Sequence, residues 1–92
     1  MNFEQALHAV KNNYKIRRSG WNGKGMWVVM IPAMSTTVPQ KIGGGYPVQA
    51  YLMMKTVDDT LVPWLISQSD VLAGDWELVD DAVVATSMTK VK

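Results

Sequence analysis

Six consecutive residues, Met26-Trp27-Val28-Val29-Met30-Ile31, are all apolar, and half of them are β-branched. Such a run reads as a strand. Successive side chains of a strand point to opposite faces, so a strand apolar on both faces has to be covered twice. A chain of 92 residues holds one domain with a modest core. Its N-terminal helix is able to cover one side, and the second cover is a further subunit. The composition agrees: 48% apolar and 18% charged residues suit a globular chain that hides part of its surface against a partner. Four Trp and seven Met point the same way, because both types favour interfaces and adaptable pockets.

The other elements follow from local spacing. Asn2 is placed as an N-cap with Gln5 completing a capping box, and Phe3, Ala6, Leu7 and Val10 form one apolar stripe. Lys11 suits the last helical turn, and Asn12-Asn13 end the helix by visiting the left-handed region. His8 falls off the stripe and is a solvated helix residue. Tyr14 to Arg18 alternates as a first strand. Asn22-Gly23 is the strongest short-range hairpin signal, and pairing outward from it sets Arg18 opposite Trp27 and Ile16 opposite Val29. That pairing puts Tyr14, Ile16, Val29 and Ile31 on one face and makes Arg18 over Trp27 a cation–π pair. Pro32 closes the second strand. Residues 33–50, with two prolines and Gly43-Gly44-Gly45, are an irregular excursion read as a flexible or interface loop. That reading stands ahead of a phosphate-cradling loop, whose G-x-x-x-x-G-K-S/T motif is missing.

Tyr51 to Thr56 is the third strand, Val57 to Thr60 a turn, and Leu61 to Trp64 a fourth strand placed at an edge by Pro63. Asp58 and Asp59 are adjacent on that turn and diverge into water. Ser67-Gln68-Ser69-Asp70 has the arrangement of a helix cap, followed by Val71-Leu72-Ala73 and a stop at Gly74 in C′ position. Asp75 to Val79 alternates, with Trp76 and Leu78 inward, and Trp27 and Trp76 are both assigned to the core. The expected class is α+β: an N-terminal helix on a small antiparallel sheet of four to five strands, with a short second helix near 68–73. Residues 1–79 form the ligand-binding domain. Residues 80–92 are an extension or tail, in which Ala82-Val83-Val84 adds at most a short strand.

Packing does not explain the stretch Arg17-Arg18-Ser19-Gly20-Trp21-Asn22-Gly23-Lys24-Gly25-Met26-Trp27. Three glycines permit positive φ and close backbone approach, beside three cations, two indoles and an amide. That mixture suits stacking a base and neutralising a phosphate. A net charge of +1 supplies no broad basic field for duplex nucleic acid, yet a small anion needs only a local patch. There is no Cys, His8 is alone, and no Glu/Asp pair has usable spacing, so a hydrolase lacks its base and nucleophile. No cofactor or metal site is expected. No leader pattern and no apolar run of spanning length occur, so no membrane is expected as partner.

The chain resembles the phage Thoeris anti-defence sponges, a family of small proteins. The resemblance rests on the opening Met1-Asn2-Phe3-Glu4-Gln5-Ala6-Leu7, on Gly20-Trp21-Asn22-Gly23-Lys24-Gly25-Met26, and on Met54-Lys55-Thr56 and Val62-Pro63-Trp64. Ser67-Gln68-Ser69-Asp70 with Leu72-Ala73, and Asp75-Trp76-Glu77, complete it, so it spans residues 1 to about 79. It implies a non-enzymatic protein of the infected host's cytoplasm. Such a protein captures a cyclic ADP-ribose isomer, glycocyclic ADP-ribose, made by a Toll/interleukin-receptor-type immune enzyme. It also implies a homotetramer with ligand pockets between subunits, and for some members cyclic oligonucleotides as ligands. A hydrolase of the same messenger, or a protein or single-strand binding module, is the competing reading.

Set against that ligand, Trp21 or Trp64 stacks the base, and Arg18 and Lys24 meet the pyrophosphate. Gly23 and Gly25 offer backbone N–H donors. Asn22, Ser67, Gln68 and Asp70 bond ribose hydroxyls or the adenine edge, with Tyr51 as a further candidate. The bland alternative for Ser67 and Asp70 is a helix cap.

Overall fold

A computed structural model describes residues 1–22, 24–33 and 46–83. The first helix, α1 (Phe3–Lys11), has the expected ends: Asn2 and Gln5 form a complete capping box, and Asn13 takes φ of 74° just past the C-cap Asn12. Five strands follow in antiparallel pairing: β1 (Tyr14–Arg18), β2 (Trp27–Ile31), β3 (Tyr51–Lys55), β4 (Leu61–Pro63) and β5 (Trp76–Val83). A short helix, α2 (Gln68–Leu72), lies between the last two, and the sheet order is β4-β3-β2-β1-β5. The α+β class is therefore as read from the sequence. Pro63 sits on the edge strand β4, where its missing N–H breaks no ladder.

Helix α1 buries Ala6 and Val10 against Ile16 of β1, Val28 of β2, Met54 of β3 and Trp76 of β5. Trp76 is 2% exposed, and its ring lies 5.4 Å from that of Phe3. Alternation from these residues places Arg18, Met30, Leu52 and Leu78 on the same helix-covered face. The other face carries Trp27, Val29 and Ile31, flanked across the ladder by Tyr51, Met53 and Lys55. Strand β2 is thus apolar on both sides, and among the described residues a helix covers only one of them.

Three expectations need correction. The two-residue Asn22-Gly23 hairpin is not formed: β1 stops at Arg18, β2 starts at Trp27, and Ile16 faces Val28 instead of Val29. A slip of one residue exchanges the faces, so Val29 and Ile31 part from Ile16 and go to the opposite side. Trp27 goes with them, out of the core to which it was assigned, and its cationic neighbour is Lys15, whose Nζ lies 4.7 Å from the ring centroid. Gly74 does not take a left-handed C′ conformation; α2 ends through an extended Ala73. Finally, β5 runs past Val79 to Val83, which pairs with Tyr14 after a register shift. The excursion at 33–50 falls largely outside the described residues, and so does the chain after Val83.

Candidate functional site

The loop from residue 19 to residue 26 is organised from the opposite end of the chain. Arg18 closes β1 on the helix-covered face, directly across from Trp76. Its Nε donates to Asp75 Oδ1 at 2.6 Å, its Nη2 to Asp75 Oδ2 at 3.4 Å, and its Nη1 to Asp70 Oδ1 at 2.8 Å. Asp75 Oδ2 also accepts the Gly20 N–H at 2.7 Å and the Ser19 hydroxyl at 3.4 Å, and the Ser19 N–H donates to the Asp75 carbonyl. A Cβ on Gly20 would lie 2.7 Å from Asp75 Oδ2, so the glycine is there for close approach. Gly25 is there for its conformation, with φ of 77°.

These contacts draw Trp21 inward. Its Nε1–H donates to Asp70 Oδ1 at 3.1 Å, and its ring meets Trp76 and Trp64 edge-on at 5.5 and 6.2 Å. Asp70 is fixed in turn by α2, whose cap Ser67 Oγ accepts the Asp70 N–H, while the Asp70 carbonyl takes the Trp76 Nε1–H at 2.9 Å. Hydrogen bonds to the charged forms shift all three ionisable groups. Asp75 is held below the usual carboxylate range mainly by its bond to Arg18, and the Arg18 guanidinium is pushed up by Asp75 first and Asp70 second. Burial pushes Asp70 up, but bonds from Arg18, Trp21 and Ser67 outweigh it and leave the group lowered.

In front of this frame lies an open groove of about 440 Å³, walled by Arg17, Arg18, Ser19, Trp21, Asn22, Lys24, Gly25, Met26 and Glu77. Arg17 points away from Arg18 by strand alternation and pairs across the sheet with Glu77, Nε to Oε2 at 2.7 Å. A larger concavity of about 930 Å³ runs between α1 and the β1–β5 edge, past Glu4, His8, Asn12, Tyr14 and Leu78. It has no indole and no Lys or Arg along it, whereas the smaller groove has an indole, two arginines and a lysine. Ligand pockets typically measure about 300–1,000 Å³.

Residues 1–79 match the Thoeris anti-defense 2-like domain. A protein of Bacillus phage SP01, Thoeris anti-defense 2, is 36% identical over 86 residues, an alignment covering 86% of this chain and 94% of that protein. The chain belongs to the Thoeris anti-defense 2-like family. Membership carries an anti-defence role, and the domain so matched includes every residue of the Arg18 network and of the groove.

The structure divides the expected binding residues of this family member into groups. Trp21, Asn22 and Lys24 line the groove together with Arg18. Trp64, Ser67 and Asp70 stand behind it: Trp64 in the indole cluster, Ser67 as the N-cap of α2, and Asp70 as the carboxylate that holds Arg18 and Trp21. Gln68 borders a shallow depression on α2 with Ile66, Val71 and Leu72. Tyr51 lies on the far face of the sheet, opposite Ile31. Gly23 lies outside the described residues. The sequence reading missed Asp75, Glu77 and Arg17 as site residues. The charge pattern held a signal for the last two, because alternation puts Arg17 and Arg18 on opposite faces, each able to meet one acidic neighbour of Trp76.

Proposed function

We propose that this chain is a phage anti-defence protein that captures a cyclic ADP-ribose-type messenger, glycocyclic ADP-ribose, and holds it without altering it. Loss of the free messenger keeps the Thoeris effector silent in the cytoplasm of the infected bacterium. The observation that carries this reading is the groove itself: it sets an indole, an amide and cationic side chains around one cavity of about 440 Å³. Those groups answer, in order, to a base, to ribose hydroxyls and to a pyrophosphate. A non-catalytic role is supported by the state of the nearby carboxylates. Asp70 and Asp75 are tied to Arg18 and held below the usual carboxylate range, so neither is poised to take a proton from water.

The protein works as a homotetramer in this reading. Support comes from the sheet face where Trp27, Ile31 and Met53 are half-buried, which no helix covers among the described residues. Titration calorimetry against a panel of cyclic ADP-ribose isomers and cyclic oligonucleotides tests the ligand. Heat release with glycocyclic ADP-ribose, and recovery of intact messenger after heat denaturation, is the expected result. A cleaved product would make the protein an enzyme, and uptake of cyclic oligonucleotides alone would move it to a different signalling system. Trp21→Ala is expected to abolish messenger binding with the oligomer intact by light scattering; unchanged affinity would remove Trp21 from the pocket.

A further inference from the structure

The two arginines that end β1 differ in what they have left to offer. All three nitrogens of the Arg18 guanidinium face carboxylate oxygens, and two carboxylates surround this single cation. The cluster is therefore net negative, and its side chains are mostly covered, with Arg18 at 21% and Asp70 at 15% exposure. A phosphate approaching Arg18 meets like charge and has to displace a carboxylate that is also bonded to Gly20 or to Trp21. Arg17 meets one carboxylate through Nε alone, its side chain is 41% exposed, and its two Nη groups make no other ion pair among the described residues. Lys24, an exposed residue, borders the same groove.

We infer that the anion-binding cations of this groove are Arg17 and Lys24, with Glu77 as the positioning residue of Arg17, and that they take a pyrophosphate or phosphodiester group. Arg17 presents the fork geometry that matches two phosphate oxygens, and Lys24 adds a point charge on a flexible stem. The Nε–Oε2 bond to Glu77 anchors the guanidinium at one nitrogen, and both side chains line the groove. Arg18 then serves as the brace that holds Trp21 and the loop in place, not as a ligand. The inference deepens the proposed function: the identity of the ligand rests on that reading, but the presence of an anion site does not.

Calorimetric titration with inorganic pyrophosphate at low ionic strength, followed by the messenger panel, tests it. Wild-type protein is expected to bind pyrophosphate, and Arg17→Gln and Lys24→Gln each to weaken it about 10- to 100-fold, the range for a hydrogen bond to a charged group. Arg17→Lys should retain part of the affinity. Glu77→Gln separates positioning from charge, because removal of an anion alone would tighten binding, whereas loss of the brace weakens it. Thermal midpoints close to wild type would show that these exposed side chains are not needed for folding. Pyrophosphate binding that is absent in wild type, or unchanged in Arg17→Gln, overturns the inference, and tighter binding by Glu77→Gln overturns its positioning half. Messenger uptake undiminished in Arg17→Gln sinks the inference and leaves the proposed function standing. Arg17-dependent pyrophosphate binding with no uptake of any cyclic nucleotide does the reverse.

Discussion

Asp75 ties the end of β1 to the loop that follows it, since its carboxylate meets Arg18, Gly20 and Ser19 while its backbone carbonyl meets Ser19. Its pKa and that of Asp70 are depressed in the folded chain, which fixes the sign of the pH dependence. A depressed carboxylate contributes stability that is complete above its unfolded value, about 3.9, and is lost as pH falls through the lower folded value. Arg18, shifted upward, contributes nothing to this window because it stays charged throughout. Urea unfolding is thus expected to be flat from neutral pH to about 5 and to weaken below about 4. In Asp75→Asn the midpoint at neutral pH should be lower and the acid decline shallower; an unchanged decline would show that Asp75 is not part of it. Gly20→Ala should disturb the same point by another route, because the added methyl falls within 2.7 Å of Asp75 Oδ2. The Gly20 N–H donates to Asp75 in wild type, so the amide of residue 20 and its neighbours are expected to exchange hydrogen faster in that variant.

At the scale of elements, local spacing is enough for α1 and for most strand positions. It is not enough for the end of α2, where an extended Ala73 replaces the expected Gly74 turn, and features that depend on distant partners are not legible in it. Helix α1 is set by short-range chemistry: a cap at Asn2, a return bond from Gln5 and an apolar stripe. Asn2→Ala is expected to cost about 1 kcal/mol in urea unfolding, the usual value of an N-cap. Ile16 sits on the interior strand β1 with no exposure, so Ile16→Ala should cost about 2–5 kcal/mol. The register of β1 against β2 was misread because Asn22-Gly23 carries a strong turn signal of its own. In the folded chain, Asp75 and Asp70, more than fifty residues away, pull Arg18 and the following loop toward the helix side. No spacing within residues 14–31 reports that pull. The candidate site was legible in part for the same reason: the cluster around Trp21 announces itself by composition, whereas the division of labour between Arg17 and Arg18 appears only once β5 lies beside β1.

For the whole molecule, the sheet is a partition with unlike sides. One side is sealed by α1 and the indoles; the other presents Trp27, Ile31 and Met53, with Leu61 57% exposed near the edge. A second copy packed on that side would cover the half-buried Trp27, Ile31 and Met53 together with Leu61. Met53→Glu is therefore expected to shift the species seen by light scattering toward monomer while circular dichroism keeps its helix and strand signature. A wild-type protein that is already monomeric would remove the assembly from the proposal. The sealed side has an optical consequence. Trp21, Trp64 and Trp76 stand with centroids 5.5 to 6.2 Å apart at steep angles, close enough for their electronic transitions to mix. Trp21 also borders the groove, so a guest stacked there perturbs all three chromophores at once. The near-ultraviolet spectrum of the unlabelled protein is thereby a built-in gauge of whether the cavity is filled.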